Sequence, residues 1–218
     1  MARDPRFDVL FEPVKIGPKT MKNRFYQAPH ATGFSGDASP RAQARFREIK
    51  AEGGWAVLNT SGLSVHPEHD CWGGAEPHSR LWDEEDARNW GVMCDAVHRH
   101  GALAGAELVM TGGGSGFESR LPIKAVSGTV HDTFWAGACY EMDKDDIRDL
   151  QNSYVRAAQL ARSAGFDIIN FATMQGATIP LMFLMKYFNK RTDEYGGPFE
   201  NRARFALETM EMLREAVG

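Results

Sequence analysis

Four short apolar runs, each followed by an amphipathic helical stretch, constrain this chain more than any other feature. The runs occupy residues 25–31, 55–60, 103–108 and 167–172 and are rich in β-branched or aromatic side chains. Strands that alternate with helices imply βαβ units and a parallel sheet. Near-continuous apolarity within each run fits strands buried on both faces. The helix boundaries are written in the same text. Ser39-Pro40 offers an N-cap with proline at the first helical position, and that helix should end before Gly53-Gly54. Asp83 opens a second helix with acidic residues in its first turn, and Arg99 and His100 close it before Gly101. A third begins at Asp143 and presents Ile147, Leu150, Tyr154 and Ala158 on one face before Gly165. A fourth runs from about Pro198 to Val217, with Phe205, Thr209, Met212 and Leu213 near one stripe.

The fold class expected is therefore α/β: the first four βα units of a (β/α)8 TIM-type barrel. A lead segment, residues 9–24, has the spacing of an N-terminal hairpin that plugs the barrel bottom. A full barrel takes about 250 residues, whereas four units end here at Gly218. Residues 1–218 are accordingly expected to be one incomplete domain, the N-terminal half of a barrel. A small doubly wound sheet is the structural alternative. In a barrel, the long loops after strands two, three and four would form the active face.

Composition excludes several function classes. With 25 Lys+Arg against 29 Asp+Glu and a net charge of −4, no basic stripe invites nucleic acid. No apolar run approaches the roughly 20 residues that span a bilayer, and the opening Met1-Ala2-Arg3-Asp4-Pro5 lacks the core of a secretory signal. Cytoplasmic localisation is the expectation. Cys71, Cys94 and Cys139 are scattered and odd in number, so neither a disulfide scaffold nor an iron–sulfur cluster is expected within this chain.

Particular residues then carry a resemblance. Phe11-Glu12-Pro13, Ile16-Gly17 and Asn23-Arg24 precede Ala28-Pro29-His30, and Asn189-Lys190-Arg191-Thr192-Asp193-Glu194-Tyr195-Gly196-Gly197 precedes Glu200-Asn201-Arg202. With Lys50-Ala51-Glu52-Gly53-Gly54-Trp55 and Gly101-Ala102-Leu103-Ala104-Gly105, these resemble the old yellow enzyme superfamily, in its trimethylamine dehydrogenase-like branch. The resemblance implies a (β/α)8 barrel with FMN at its C-terminal mouth and hydride transfer to or from a small substrate such as an amine. NAD(P)H-dependent reduction of an activated C=C bond is the alternative, and a non-catalytic half-barrel subunit or fragment is another. The long Asn189–Arg202 motif also has a structural reading, in which Arg191, Asp193 and Arg202 pair to fix a loop to the last helix.

By the same resemblance, Pro29, His30 and Ala31 at the end of the first strand would contact the flavin. Glu107, at the end of the third, would accept its ring N–H donors. A carboxylate inside an apolar run is costly unless partnered, so the bland alternative pairs Glu107 with Arg204 or Arg120. Gly62, after Thr60-Ser61, would let backbone N–H groups approach the ring, or would simply turn a strand into a loop. His30 could touch the cofactor or lie satisfied beneath it.

Three positions depart from the branch. Ala31 stands where a cysteine links FMN covalently, so non-covalent FMN is expected. Gly62 replaces a tyrosine of an aromatic bowl, removing one cation–π wall. After the fourth strand, Phe171-Ala172-Thr173-Met174-Gln175 lacks the usual histidine or tyrosine pair. Thr173 and Gln175 are the candidate catalytic residues; they can donate hydrogen bonds but cannot serve as general bases near neutral pH. Thr111 and Gly112-Gly113-Gly114-Ser115-Gly116 read as a lid without Walker character, with a plain surface loop as the alternative. His66, His69 and His78, with Glu68 and Asp70, lack metal-ligand spacing, so no metal is expected. Expected partners are a small-molecule substrate and the remaining half of the barrel, in a longer chain or an oligomer.

Overall fold

The computed structural model describes residues 4–30, 40–66, 80–111, 123–128, 139–174 and 178–218. Four strands, β3 (Tyr26–Gln27), β4 (Val57–Ser64), β5 (Leu103–Val109) and β8 (Ile168–Phe171), form one parallel sheet in that order. Every neighbour in the sheet is the next βα unit in sequence, so the strand order never reverses. Helices α1 (Pro40–Glu52), α2 (Glu84–His98), α3 (Lys144–Ala164) and α5 (Phe199–Val217) pack side by side in the same order. Leu58, Leu63, Ala104, Ala106, Leu108, Ile169 and Phe171 of the sheet share one core with them. The opposite face carries no helix among the described residues. That rules out the doubly wound alternative, which needs helices on both faces; the sheet is a partial barrel.

The lead segment forms a 3-10 turn, Pro5–Phe11, and an antiparallel hairpin of β1 (Val14–Ile16) and β2 (Lys19–Met21). Gly17 turns it with φ of 55°, a left-handed conformation that favours glycine. Val14 and Met21 then meet Tyr26, Val57, Leu103 and Ile168 on the inner face. The hairpin thus plugs the barrel floor, as its spacing predicts.

The caps form where the sequence places them. The Asp83 carboxylate accepts from the Glu85 and Asp86 N–H groups, and Asp143 forms a reciprocal capping box with Asp146. Gly165 ends α3 in the left-handed conformation. Ser39, the expected cap of α1, lies outside the described residues. The Asn189–Arg202 motif is a scaffold. Arg191, almost wholly buried, donates to the Val126 and Met142 carbonyls and forks onto Asp193, while Arg202 donates to the Leu184 and Gly197 carbonyls. A Cβ on Gly196 would lie 2.0 Å from the Arg191 carbonyl, so only glycine allows that approach.

Several elements differ from expectation. The first strand spans only Tyr26–Gln27 and not residues 25–31, and the second continues to Ser64 instead of ending at Thr60. A short helix α4 (Ile179–Leu184) and a two-stranded parallel ribbon, β6 (Ile123–Ala125) with β7 (Cys139–Glu141), were not legible as periodic runs. Each is too short to show a period.

Candidate active site

Alternation along the strands sends Val57 and Asn59 of β4, Leu103, Gly105, Glu107 and Val109 of β5, and Ile168, Asn170 and Ala172 on and just beyond β8 to the inner face. The hydrophobic clusters on either side of the sheet agree. One interruption matters. Asn59 pairs with Gly105 and Gly62 with Glu107, so three steps along β4 match two along β5. This is a β-bulge, and it corrects the expectation that Thr60-Ser61-Gly62 leaves the sheet. Leu63 faces the helices, so the extra residue brings Gly62 onto the inner face, directly beside Glu107.

The groups that a bulge leaves without ladder partners are capped individually. The Glu107 N–H donates to Thr60 Oγ1 at 3.1 Å. The Asn59 carbonyl accepts from Arg47 Nε at 2.8 Å, a fully buried guanidinium contributed by α1. Below the bulge, a polar chain crosses the inner face. Tyr26 donates to Asn170 Oδ1 at 2.9 Å, Asn170 Nδ2 donates to Asn59 Oδ1 at 2.7 Å, and Asn59 Nδ2 donates to the Gln27 carbonyl. Gly105 makes room for it, since a Cβ there would lie 1.8 Å from Asn59 Oδ1. Sequence reasoning missed this chain. The signal was present: Asn59 and Asn170 are polar residues inside apolar runs, the same anomaly that singled out Glu107.

Glu107 sits one step toward the mouth, half-buried, with no ion-pair partner among the described residues. Burial raises its carboxyl above the usual range, and no neighbouring charge opposes that. Arg204, the alternative partner, instead donates to the Glu194 carbonyl and to Asn201; Arg120 lies outside the described residues. A Cβ on Gly62 would come within 2.8 Å of Val109 Cγ1 and 3.6 Å of Glu107 Oε2, so glycine keeps the mouth beside the carboxylate open. Pro29 is half-buried and His30 exposed just beyond β3, where His30 Nδ1 lies 2.6 Å from Gln27 Nε2. Thr173 is half-buried beyond β8, next to Ala172, whose N–H donates to the Leu108 carbonyl. The structure therefore gathers Gly62, Glu107, Pro29, His30 and Thr173 at the C-terminal ends of the strands. Ala31, Gln175, the glycine-rich segment 112–116 and the histidines His69 and His78 lie outside the described residues. No group of three or more His, Cys, Asp or Glu converges among the described residues.

This arrangement suits a polar-edged ligand: an inner wall that includes Gly62 and Ala172, with one carboxyl that has no ion-pair partner among the described residues. The family model for NADH:flavin oxidoreductase / NADH oxidase proteins matches residues 9–218. The chain belongs to that family. Among curated relatives, dimethylamine dehydrogenase of Hyphomicrobium sp. (strain x) is 46% identical over 227 residues, covering 100% of this chain and 30% of its own length. Cinnamate reductase of Clostridium sporogenes is 27% identical, with 98% of this chain and 33% of the relative covered. Among solved structures, histamine dehydrogenase from Rhizobium sp. 4-9 superposes with a TM-score of 0.92 at 42% identity, over 99% of this chain and 33% of that one. The chain thus spans about a third of the length of these relatives.

Proposed function

We propose that these residues are the ring-holding half of an FMN-dependent oxidoreductase that moves a hydride between a small substrate and non-covalent FMN. The observation that carries this reading is Glu107: a half-buried carboxyl at the strand ends with no ion-pair partner among the described residues, beside a glycine that keeps the space in front of it open. Such a group is costly in the empty protein and repaid by a ligand that presents hydrogen-bond donors. Glu107 would hold the ring's polar edge, Gly62 would admit it closely, and Pro29, His30 and Ala31 would line the wall beyond β3. Thr173 and Gln175 would donate hydrogen bonds to the substrate. FMN when bound supplies the hydride chemistry itself, while the protein orients it and sets its electrostatics.

An amine is the favoured substrate class, because dimethylamine and histamine dehydrogenases are both above 40% identical. Reduction of an activated C=C bond is the second reading, supported by the cinnamate reductase relative. We further propose that the rest of the barrel is supplied by a longer chain or a partner copy, and that the enzyme works in the cytoplasm. The outer edges of β3 and β8 pair with no strand among the described residues, and among these residues no helix is long and apolar enough to cross a membrane.

The test is to denature flavin-loaded protein in acid and run it on a gel beside the supernatant. Ala31 offers no nucleophile, so the flavin should appear wholly in the supernatant. Flavin that migrates with the polypeptide, or protein that takes up none, would contradict the proposal.

A further inference from the structure

Gln27, the last residue of β3, is only 6% exposed, and its side chain reaches along the wall toward His30. Its amide nitrogen stands 2.7 Å from the Ala28 carbonyl oxygen and 2.6 Å from His30 Nδ1. A carbonyl oxygen can only accept, so the group facing Ala28 is the amide NH2 and not the amide oxygen. With one N–H directed at Ala28, the other meets His30 Nδ1. A hydrogen on Nδ1 would collide with it, so Nδ1 is the acceptor and the ring's hydrogen resides on Nε2. The Ala28 oxygen also lies 3.2 Å from Nδ1, the longer and weaker of the contacts. The cost of this orientation is visible. Gln27 Oε1 is buried with no hydrogen-bond partner among the described residues, and buried orphan acceptors are rare enough to need a reason.

We propose that Gln27 is a positioning residue that keeps His30 Nδ1 an acceptor and the ring's hydrogen on Nε2. The exposed imidazole then offers that hydrogen to an acceptor oxygen at the mouth. The assignment of that oxygen to the bound cofactor rests on the reading of His30 as a flavin contact; the tautomer itself does not. Replacing the amide tests the idea directly. In Gln27→Leu the donor to Nδ1 is lost and the ring is free to exchange tautomers. In Gln27→Glu the facing group becomes a pure acceptor and draws a hydrogen onto Nδ1.

The experiment is a long-range nitrogen–proton correlation spectrum of the full chain labelled at histidine, with His30→Gln to assign the signals. The wild type should show Nδ1 in the unprotonated range and Nε2 in the protonated range. Gln27→Leu should shift both nitrogens toward the tautomer average, and Gln27→Glu should move Nδ1 into the protonated range. A wild-type ring protonated at Nδ1, or ring shifts unchanged in Gln27→Glu, overturns the proposal. FMN titration then separates the two layers. Gln27→Leu should weaken FMN binding about tenfold, and not additively with His30→Ala. The expected ring shifts with unchanged FMN affinity uphold the positioning role and remove His30 from the cofactor's contacts.

Discussion

Two acidic residues at opposite ends of the barrel strands show how differently the chain treats its two rims. Asp167, at the floor, has a side chain only 9% exposed. Burial would push its carboxyl up, but His98 Nε2 and Lys19 Nζ, each at 2.7 Å, and the Ala104 N–H at 3.0 Å outweigh that and hold it at about 2. These partners come from α2, the hairpin and β5, so one carboxylate fastens three elements. Glu107, at the mouth, is half-buried with no such partner among the described residues, and burial raises its carboxyl above the usual range. Where the protein needs rigidity it satisfies its charges. At the proposed ligand site one charge has no ion-pair partner among the described residues, as a binding site that trades stability for function would.

The largest effect expected on the structural side belongs to Arg191. Arg191→Met strips the Val126 and Met142 carbonyls and Asp193 of a buried partner and should cost about 3–5 kcal/mol, read as a large drop in the denaturation midpoint. A loss below about 1 kcal/mol would mean that the motif is not the scaffold its geometry describes.

Next comes the floor carboxylate. Its folded pKa is depressed from 3.8 to about 2, so its contribution is present above the unfolded value and is lost as pH falls from near 4 toward 2. His98 is raised from 6.5 chiefly by its bond to Asp167. Its contribution is full below pH 6.5 and is lost as pH rises through the raised folded value. Asp167→Asn should therefore lose about 1–2 kcal/mol between those limits and flatten both flanks of the stability profile. Unfolding curves measured from pH 2 to 9 for both proteins would show it; parallel profiles would count against the comparison. The smallest expected change is at Glu107. Glu107→Leu, without cofactor and at neutral pH, should gain up to about 1 kcal/mol, because a desolvated carboxyl is removed.

Much of the floor and frame was legible in sequence because each signal was local. Asp83, Asp143 and Gly165 mark helix ends through backbone groups within a few residues, and the four apolar runs give the strand order directly. The mouth was less legible. Glu107 could be picked out as a charge in an apolar run, but no run shows that Arg204 turns to Glu194 and Asn201 instead of to it. The bulge that turns Gly62 inward depends on the register between β4 and β5, which no single strand encodes. The Gln27–His30 pairing likewise depends on the conformation of the residues just beyond β3, which no periodic pattern encodes.

The central claim is that the Glu107 carboxyl, without an ion-pair partner among the described residues, serves to hold the flavin, and titrating wild-type and Glu107→Leu protein with FMN tests it most directly. The account predicts FMN binding weaker by about 1–3 kcal/mol in the variant, in protein that is at least as resistant to unfolding. Unchanged FMN affinity in a folded Glu107→Leu protein would contradict it and return Glu107 to a structural role.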